Sequence, residues 1–418
     1  MIGVYRAAFS ALLAAGHVAA LRSPKLRRGL EGRRGLGQRI GGWRFAEPPL
    51  WFHFASSGEF EQIVPVLDRL RERGGPSVVL TYFSPSGERA VRLETERRFA
   101  AGRVLSWDAA DFAPWDRPRD VREFLDGVRP RALVCVHREI WPELLVQCGR
   151  SGIPRHLIAA HFPRPLSIWY RRWARELDGV LAVDAASAAR FAMGASVAGD
   201  PRVDRVLARR EAARSSWTEA LAGRPNVVVA SAWDRDLRAL APALEAVGER
   251  ARWILVPHEP SRARVERCFD LIRSRGWQAR AWSEWRREGM ETPPPHLVVD
   301  GVGFLAELYD AATAVIVGGS FHARVHNVLE PAVYARPIFT GPRISNSREA
   351  VEMQEHGLLR ACASGEELAT GLSELLADPG MRARWAGGLE SFVRERSGAA
   401  DRCAEYLFPA DAKKKAAP

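Results

Sequence analysis

Ala314-Val315-Ile316-Val317-Gly318-Gly319-Ser320, followed closely by His326-Asn327-Val328-Leu329-Glu330-Pro331, is the stretch on which the reading of this chain turns. Four apolar residues ending in glycine read as a buried strand of a parallel sheet. The glycines allow backbone N–H groups to approach an anion, and a helix that follows aims its positive N-terminus at the same point. Phosphate fits such a turn. A tight strand-to-helix turn with a buried Asn327 would use the same residues, and a lone Gly-Gly-Ser does not separate the two. Glu330 adds weight to the first, because an acid one turn into the helix can accept hydrogen bonds from ribose hydroxyls.

Outward from that stretch the sequence alternates short apolar runs with longer mixed ones, which predicts a parallel sheet covered by helices. Strands are expected at Leu50–Ala55, Ser77–Phe83, Arg131–His137, Arg155–Phe162 and Gly179–Val183. Helices are expected at Glu61–Arg73 and Arg119–Gly127. A second cycle has strands at Val227–Ala230, Trp253–Val256, Leu297–Val299, Ala314–Val317 and Pro337–Thr340, then helices at Glu366–Ala377 and Met381–Arg396. Two Rossmann-like domains follow, 46–210 and 211–410, with the boundary in the polar stretch Arg202–Arg224. The lysine-rich tail 411–418 is expected to be disordered. Paired domains of this kind place their site at the carboxyl ends of their strands.

A chain of 418 residues is long enough for two cores of this size. Its five cysteines are scattered without a Cys-x-x-Cys pair, so neither a disulfide framework nor a zinc site is indicated, and no His-Glu-x-x-His or Walker loop occurs. The formal charge is +11. Much of the excess lies in Arg22–Arg44, which carries eight Lys or Arg against Glu31 alone. Before it, Ile2–Leu21 is apolar apart from Arg6 and His17, and is long enough to cross a bilayer or lie along it. Residues 1–45 therefore read as a membrane anchor with a basic entry. Basic residues directly after the apolar run favour keeping that side in the cytoplasm over export. Anionic membrane lipid suits the cluster better than nucleic acid, for which no motif is present.

Several strand-end loops carry polar groups. Ser56-Ser57-Gly58-Glu59 opens a helix, where Glu59 can complement the helix dipole or act as a general base. Ser84-Pro85-Ser86-Gly87 can shape an acceptor site or cap a helix. Arg138 and Glu139 can reach the same face or pair with each other, while Trp141 packs. In the second half, His258 and Arg262 are candidates to meet phosphate, with a solvated loop as the alternative.

Taken in order, these loops resemble one family, the transferases of 3-deoxy-D-manno-octulosonic acid (Kdo) in lipopolysaccharide synthesis. The resemblance spans nearly the whole chain. It runs through Arg39-Ile40-Gly41, Ser56–Glu59, Thr81 with Ser84–Gly87, Glu139-Ile140-Trp141-Pro142, Gly199–Asp204, Gly318–Ser320, His326–Pro331, and Gly341-Pro342 with Asn346. It implies a GT-B fold, an N-terminal acceptor domain and a C-terminal donor domain. It also implies CMP-Kdo as donor, a lipid A precursor as acceptor, and inverting transfer with no metal or other cofactor at the cytoplasmic face of the inner membrane. Glu59 falls on the family's catalytic base. Gly318, Gly319, Ser320, Asn327, Glu330, His258 and Arg262 would hold the donor; Ser57, Gly58, Ser86, Gly87, Arg138 and Glu139 would line the acceptor side.

The sequence also departs from the family. His137 stands in place of the first glutamate of Glu-x-Glu-x-Trp-Pro, His161 and His258 each in place of an arginine, and Arg324-Val325 in place of two glycines. Ser231–Asp236 lacks the usual Ser-Thr-His and paired glutamates, for which Asp234 and Asp236 can compensate in part. A related transferase with a changed donor or acceptor, and a catalytically silent membrane-bound relative, are the alternatives these changes raise.

Overall fold

The computed structural model describes residues 1–212 and 217–409. The expected tail 411–418, and 213–216 within the boundary stretch, lie outside the described residues. The chain divides into two compact units, residues 1–205 with 396–418, and residues 206–395.

Unit 1 holds a seven-stranded, wholly parallel sheet. Its strands are β1 (Leu50–Phe54), β2 (Val78–Tyr82), β3 (Ala109–Phe112), β4 (Ala132–Val136), β5 (Arg155–Ala160), β6 (Gly179–Ala182) and β7 (Ser196–Val197), in the order β3-β2-β1-β4-β5-β6-β7. Central strands such as β1 and β4 are buried along their full length, as continuous apolar runs require when helices cover both faces. Leu50, Phe52, Phe54, Ile63, Leu67 and Val134 pack on one face; Trp51, Phe124, Leu133, Leu145 and Leu157 pack on the other.

Unit 2 repeats the plan with β8 (Asn226–Ala232), β9 (Arg252–Pro257), β10 (Ala279–Ala281), β11 (His296–Val298), β12 (Ala314–Val317), β13 (Ile338–Thr340) and β14 (Leu359–Ala361), in the order β10-β11-β9-β8-β12-β13-β14. Each sheet carries a matching irregularity. The register shifts near the end of β5 between Leu157 and Ala160, and near the end of β8 between Val229 and Ala232. Ala159 and Ser231 there have φ of 51° and 54°, a conformation non-glycine residues seldom adopt. Such bulges re-aim the residues that follow them.

Two features depart from the sequence reading. The edge strands β3, β7, β10 and β14 were not anticipated. Residues 396–409, read as part of the second domain, pack on unit 1 instead. Cys403, Ala404 and Phe408 of the helix Ala399–Leu407 and its end join the core beside Ile63 and Leu67. Asp204 secures the return, its carboxylate accepting from Gly398 N at 2.6 Å and Ala400 N at 2.8 Å.

The apolar N-terminal segment is a helix, Ile2–Ala19, ending two residues short of the expected Leu21. It is long and apolar enough to cross a membrane and is nearly all exposed, but its first half is pinned to unit 1. Tyr5 Oη donates to Asp116, and Arg6 reaches the fully buried Glu143 at 2.6 Å. Phe9 is buried edge-on to Trp141. Of the basic segment, Arg28 and Arg39 pair with Glu88 and Asp111. Arg33 is buried against Trp115, Phe83 and Phe112, and donates to the carbonyls of Gly29, Phe83 and Ala113.

Candidate active site

At the carboxyl end of the first sheet, Ser56 and Glu59 close a capping box on the helix Ser57–Glu72. Glu59 Oε2 accepts from Ala55 N at 3.0 Å, Ser56 N at 2.6 Å and Ser56 Oγ at 2.8 Å. The helix-end reading of Glu59 holds: it completes the helix start, and its carboxylate is half-exposed with Ser57 and Gly58 open to solvent. The Ser84–Gly87 turn is tied to the same loop. Ser84 Oγ donates to Ala55 O, lies 2.8 Å from Ser86 Oγ, and Gly87 N donates to Ser84 O.

Glu139 sits beneath this surface. Its Oε2 accepts from Trp141 Nε1 at 2.6 Å and lies 3.9 Å from Nε2 of the buried His53. Desolvation, reinforced by the like charge of Glu59, pushes Glu139 up to about 7, and the Trp141 hydrogen bond opposes the rise. Arg138 is exposed and donates to His161 O at 3.0 Å, so the pair Arg138–Glu139 is not an ion pair. His137 and His161 stack with ring centres 6.1 Å apart, and burial first, then Arg138, lower His137 to about 4.

At the carboxyl end of the second sheet, the Gly318–Ser320 turn follows β12 as expected. A Cβ on Gly318 would lie 2.5 Å from Ser231 O, and one on Gly319, whose φ is +90°, 2.3 Å from Arg324 O. Only glycine fits either place. The anion at this turn is the protein's own. Asp236, fully buried, accepts from Gly319 N at 2.7 Å and from Trp233 N at 2.8 Å, while Gly318 N donates to Ala230 O. Burial raises Asp236 above the usual carboxylate range, against the pull of those amides. The expectation that these glycine amides face a ligand phosphate is therefore corrected at Gly318 and Gly319. Ser320 Oγ accepts from Gly341 N at 2.6 Å and so joins β12 to the turn after β13. Asn346 clamps the intervening loop, bonding both Val325 N and Val325 O at 3.0 Å.

Asn327 Oδ1 accepts from Leu329 N, starting the short helix Leu329–Val333, and Glu330 in its first turn lies 3.9 Å from Arg209. His258 stacks on His326 at 4.3 Å and on Trp233 at 4.8 Å. Arg262 is exposed at the start of the helix Arg262–Arg273. The arginine that meets the stack is Arg264, 4.6 Å over Trp233 and paired with Glu259. Sequence reasoning passed over Arg264 and treated Trp233 only as a departure; the cue was an indole directly after a buried strand. Asp234, expected to share a pocket role with Asp236, pairs with Arg267 instead.

The N-terminal family model of 3-Deoxy-D-manno-octulosonic-acid transferase matches residues 29–205. Among relatives, the 3-deoxy-D-manno-octulosonic acid transferase of Bordetella pertussis is 29% identical over 386 residues, 86% of each chain. That of Aquifex aeolicus is 26% identical over 336 residues, 78% of this chain and 86% of its own. Among solved structures, UDP-GlcNAc 2-epimerase from Neisseria meningitidis, bound to UDP-GlcNAc, superposes with a TM-score of 0.59 at 10% identity, over 87% of this chain and 100% of its own. Two parallel Rossmann-like sheets and these matches define a glycosyltransferase of GT-B-like architecture. Over most of its length the chain is similar to Kdo transferases.

Proposed function

We propose that this protein transfers Kdo from CMP-Kdo to a lipid A precursor, inverting the anomeric centre without a metal, with Glu59 as general base. The observation that carries the reading is the fixed carboxylate of Glu59 at the mouth of the first sheet, inside the segment that matches the Kdo transferase family. A hydroxyl oxygen of the acceptor forms the new bond to the anomeric carbon, the bond to the CMP phosphate oxygen breaks with its electron pair, and the hydroxyl proton passes to Glu59. Because three donors hold Oε2, the carboxylate does not need to reorganise during the step. Glu139, raised to about 7, can donate to or accept from acceptor hydroxyls alongside Ser57, Ser86 and Arg138. Unit 2 binds the donor through His258, Arg262, Asn327 and Glu330, with the glycine turn supplying close approach.

The helix Ile2–Ala19 seats the protein on the membrane. Tyr5, Arg6 and Phe9 are committed to unit 1, and the ten residues after Phe9 rise only about 15 Å. A hydrocarbon core is roughly 30 Å thick, so the helix lies at the cytoplasmic interface and does not span. Exposed Val4, Leu12, Val18 and Ile168 face the lipid, with Arg22, Lys25 and Arg34 placed for anionic headgroups.

The test pairs transfer with binding. Glu59→Gln should lose at least 100-fold in transfer from CMP-Kdo to lipid A precursor, while CMP still raises the melting temperature of the variant. Transfer at wild-type rates sinks the general-base role, and a larger stabilisation by UDP or GDP than by CMP points to a changed donor.

A further inference from the structure

The ends of β8, β9 and β12 bring three rings together. Trp233 Nε1 donates to His326 Nε2 at 2.9 Å, the two rings lying within 6° of parallel. His258 stacks on both, and Arg264 covers Trp233. His326 is held from behind as well: its backbone N–H donates to Gly318 O, and its ring packs against Gly319 so closely that a Cβ there would come within 2.9 Å of it.

An indole N–H can only donate. The imidazole nitrogen that receives it therefore carries no proton, and the ring's proton must sit on Nδ1. We propose that Trp233 is a positioning residue that fixes His326 as the neutral Nδ1–H tautomer, so that this site presents its anionic ligand with a neutral N–H donor in place of an imidazolium. Trp233 stands where the family has a histidine, and a histidine would not impose the tautomer in this way, since it can accept as well as donate. The remaining charges around the ring agree. His258 faces it from the loop after β9, Arg324 from its own loop, and His322 and Arg264 from around Trp233. Of the carboxylates around the stack, Asp236 is turned to Gly319 N and Trp233 N, and Glu259 beside His258 is paired with Arg264. Burial first, then His258 and Arg324, lower His326 to about 4, so the neutral form persists through the physiological range.

The assignment of the tautomer rests on geometry alone; its effect on ligand binding rests on the reading that unit 2 binds the CMP sugar. The two are separable. Long-range proton–nitrogen spectra of the full-length protein, labelled at histidine and recorded without ligand at pH 7, should show His326 with a protonated Nδ1 and a bare Nε2. His326→Gln identifies its signals. A protonated Nε2 in the wild type overturns the proposal outright. In Trp233→Phe the stack keeps an aromatic ring but loses the donor, so the His326 titration midpoint should rise by about one pH unit toward its ordinary value. The ratio of variant to wild-type CMP affinity should then climb several-fold from pH 8 to pH 5, across the raised midpoint. A ratio that stays flat while the His326 midpoint has moved overturns the binding consequence. Failure of CMP to bind either protein overturns the donor reading, with the nitrogen spectrum still deciding the tautomer.

Discussion

Glu139 shows how one residue can be tuned by its surroundings without leaving its loop. Its carboxyl is raised from an ordinary 4.5 to about 7, so the folded state holds a proton that the unfolded chain gives up. The stability this provides is complete below the unfolded value and is lost as pH rises through about 7. Glu139→Gln mimics the protonated form and keeps an acceptor for Trp141. The variant should therefore gain on the wild type by up to about 1.4 kcal/mol per pH unit as pH rises from 5 toward 7. Chemical denaturation at pH 5 and pH 8 checks this; a difference that does not change with pH removes Glu139 as the titrating group. Local chemistry of this kind is partly legible in sequence. Glu59 was readable because its three donors lie within four residues of it. Asp236 was not, because its decisive partner, Gly319, is 83 residues away and only the closed sheet brings them together.

Among the elements, length and hydrophobicity decided what could be read. The central strands announce themselves as Val-Val-Val or Ala-Val-Ile-Val runs. The edge strands Ala109–Phe112 and Ala279–Ala281 are three or four residues with a charged side chain and no β-branched residue, so their pairing comes from the neighbouring strand and not from propensity. The N-terminal helix was recognisable as an apolar segment, but the sequence could not choose between spanning and lying flat. Its first half is held to unit 1 by two carboxylates far along the chain, Asp116 and Glu143, which no local pattern announces. If the helix is a membrane seat, Leu12→Glu with Val18→Glu should cut binding to anionic vesicles at least tenfold in flotation. Both side chains are 68% exposed, so the melting temperature should not change. Undiminished flotation of the double variant argues that the helix faces something other than lipid.

At the scale of the whole molecule, the division into units does not follow chain order. The C-terminal helix is amphipathic, which says that it packs but not on which sheet, and sequence alone assigned it to its nearer neighbour. Asp204 acts as the N-terminal cap of that helix from a distant part of the chain. Asp204→Ala should cost roughly 0.5–2 kcal/mol, the usual range for a lost helix cap. Hydrogen exchange is the suitable measurement, because a two-unit chain need not melt in one step. Amides of 399–407 should exchange about two- to thirtyfold faster while those of β8 and β12 stay as they were; unchanged protection in the helix would show that core packing alone holds the return.

The return also sets a timetable. Unit 1 up to Arg205 leaves the ribosome before unit 2, yet Cys403, Ala404 and Phe408 of its core leave after it. All of residues 206–395 must be made in between. At synthesis rates of about 5–20 residues per second this interval lasts roughly 10–40 s. Throughout it the side of Ile63 and Leu67 that the helix Ala399–Leu407 will cover stands open, so the nascent chain carries an apolar surface that neither unit can yet bury.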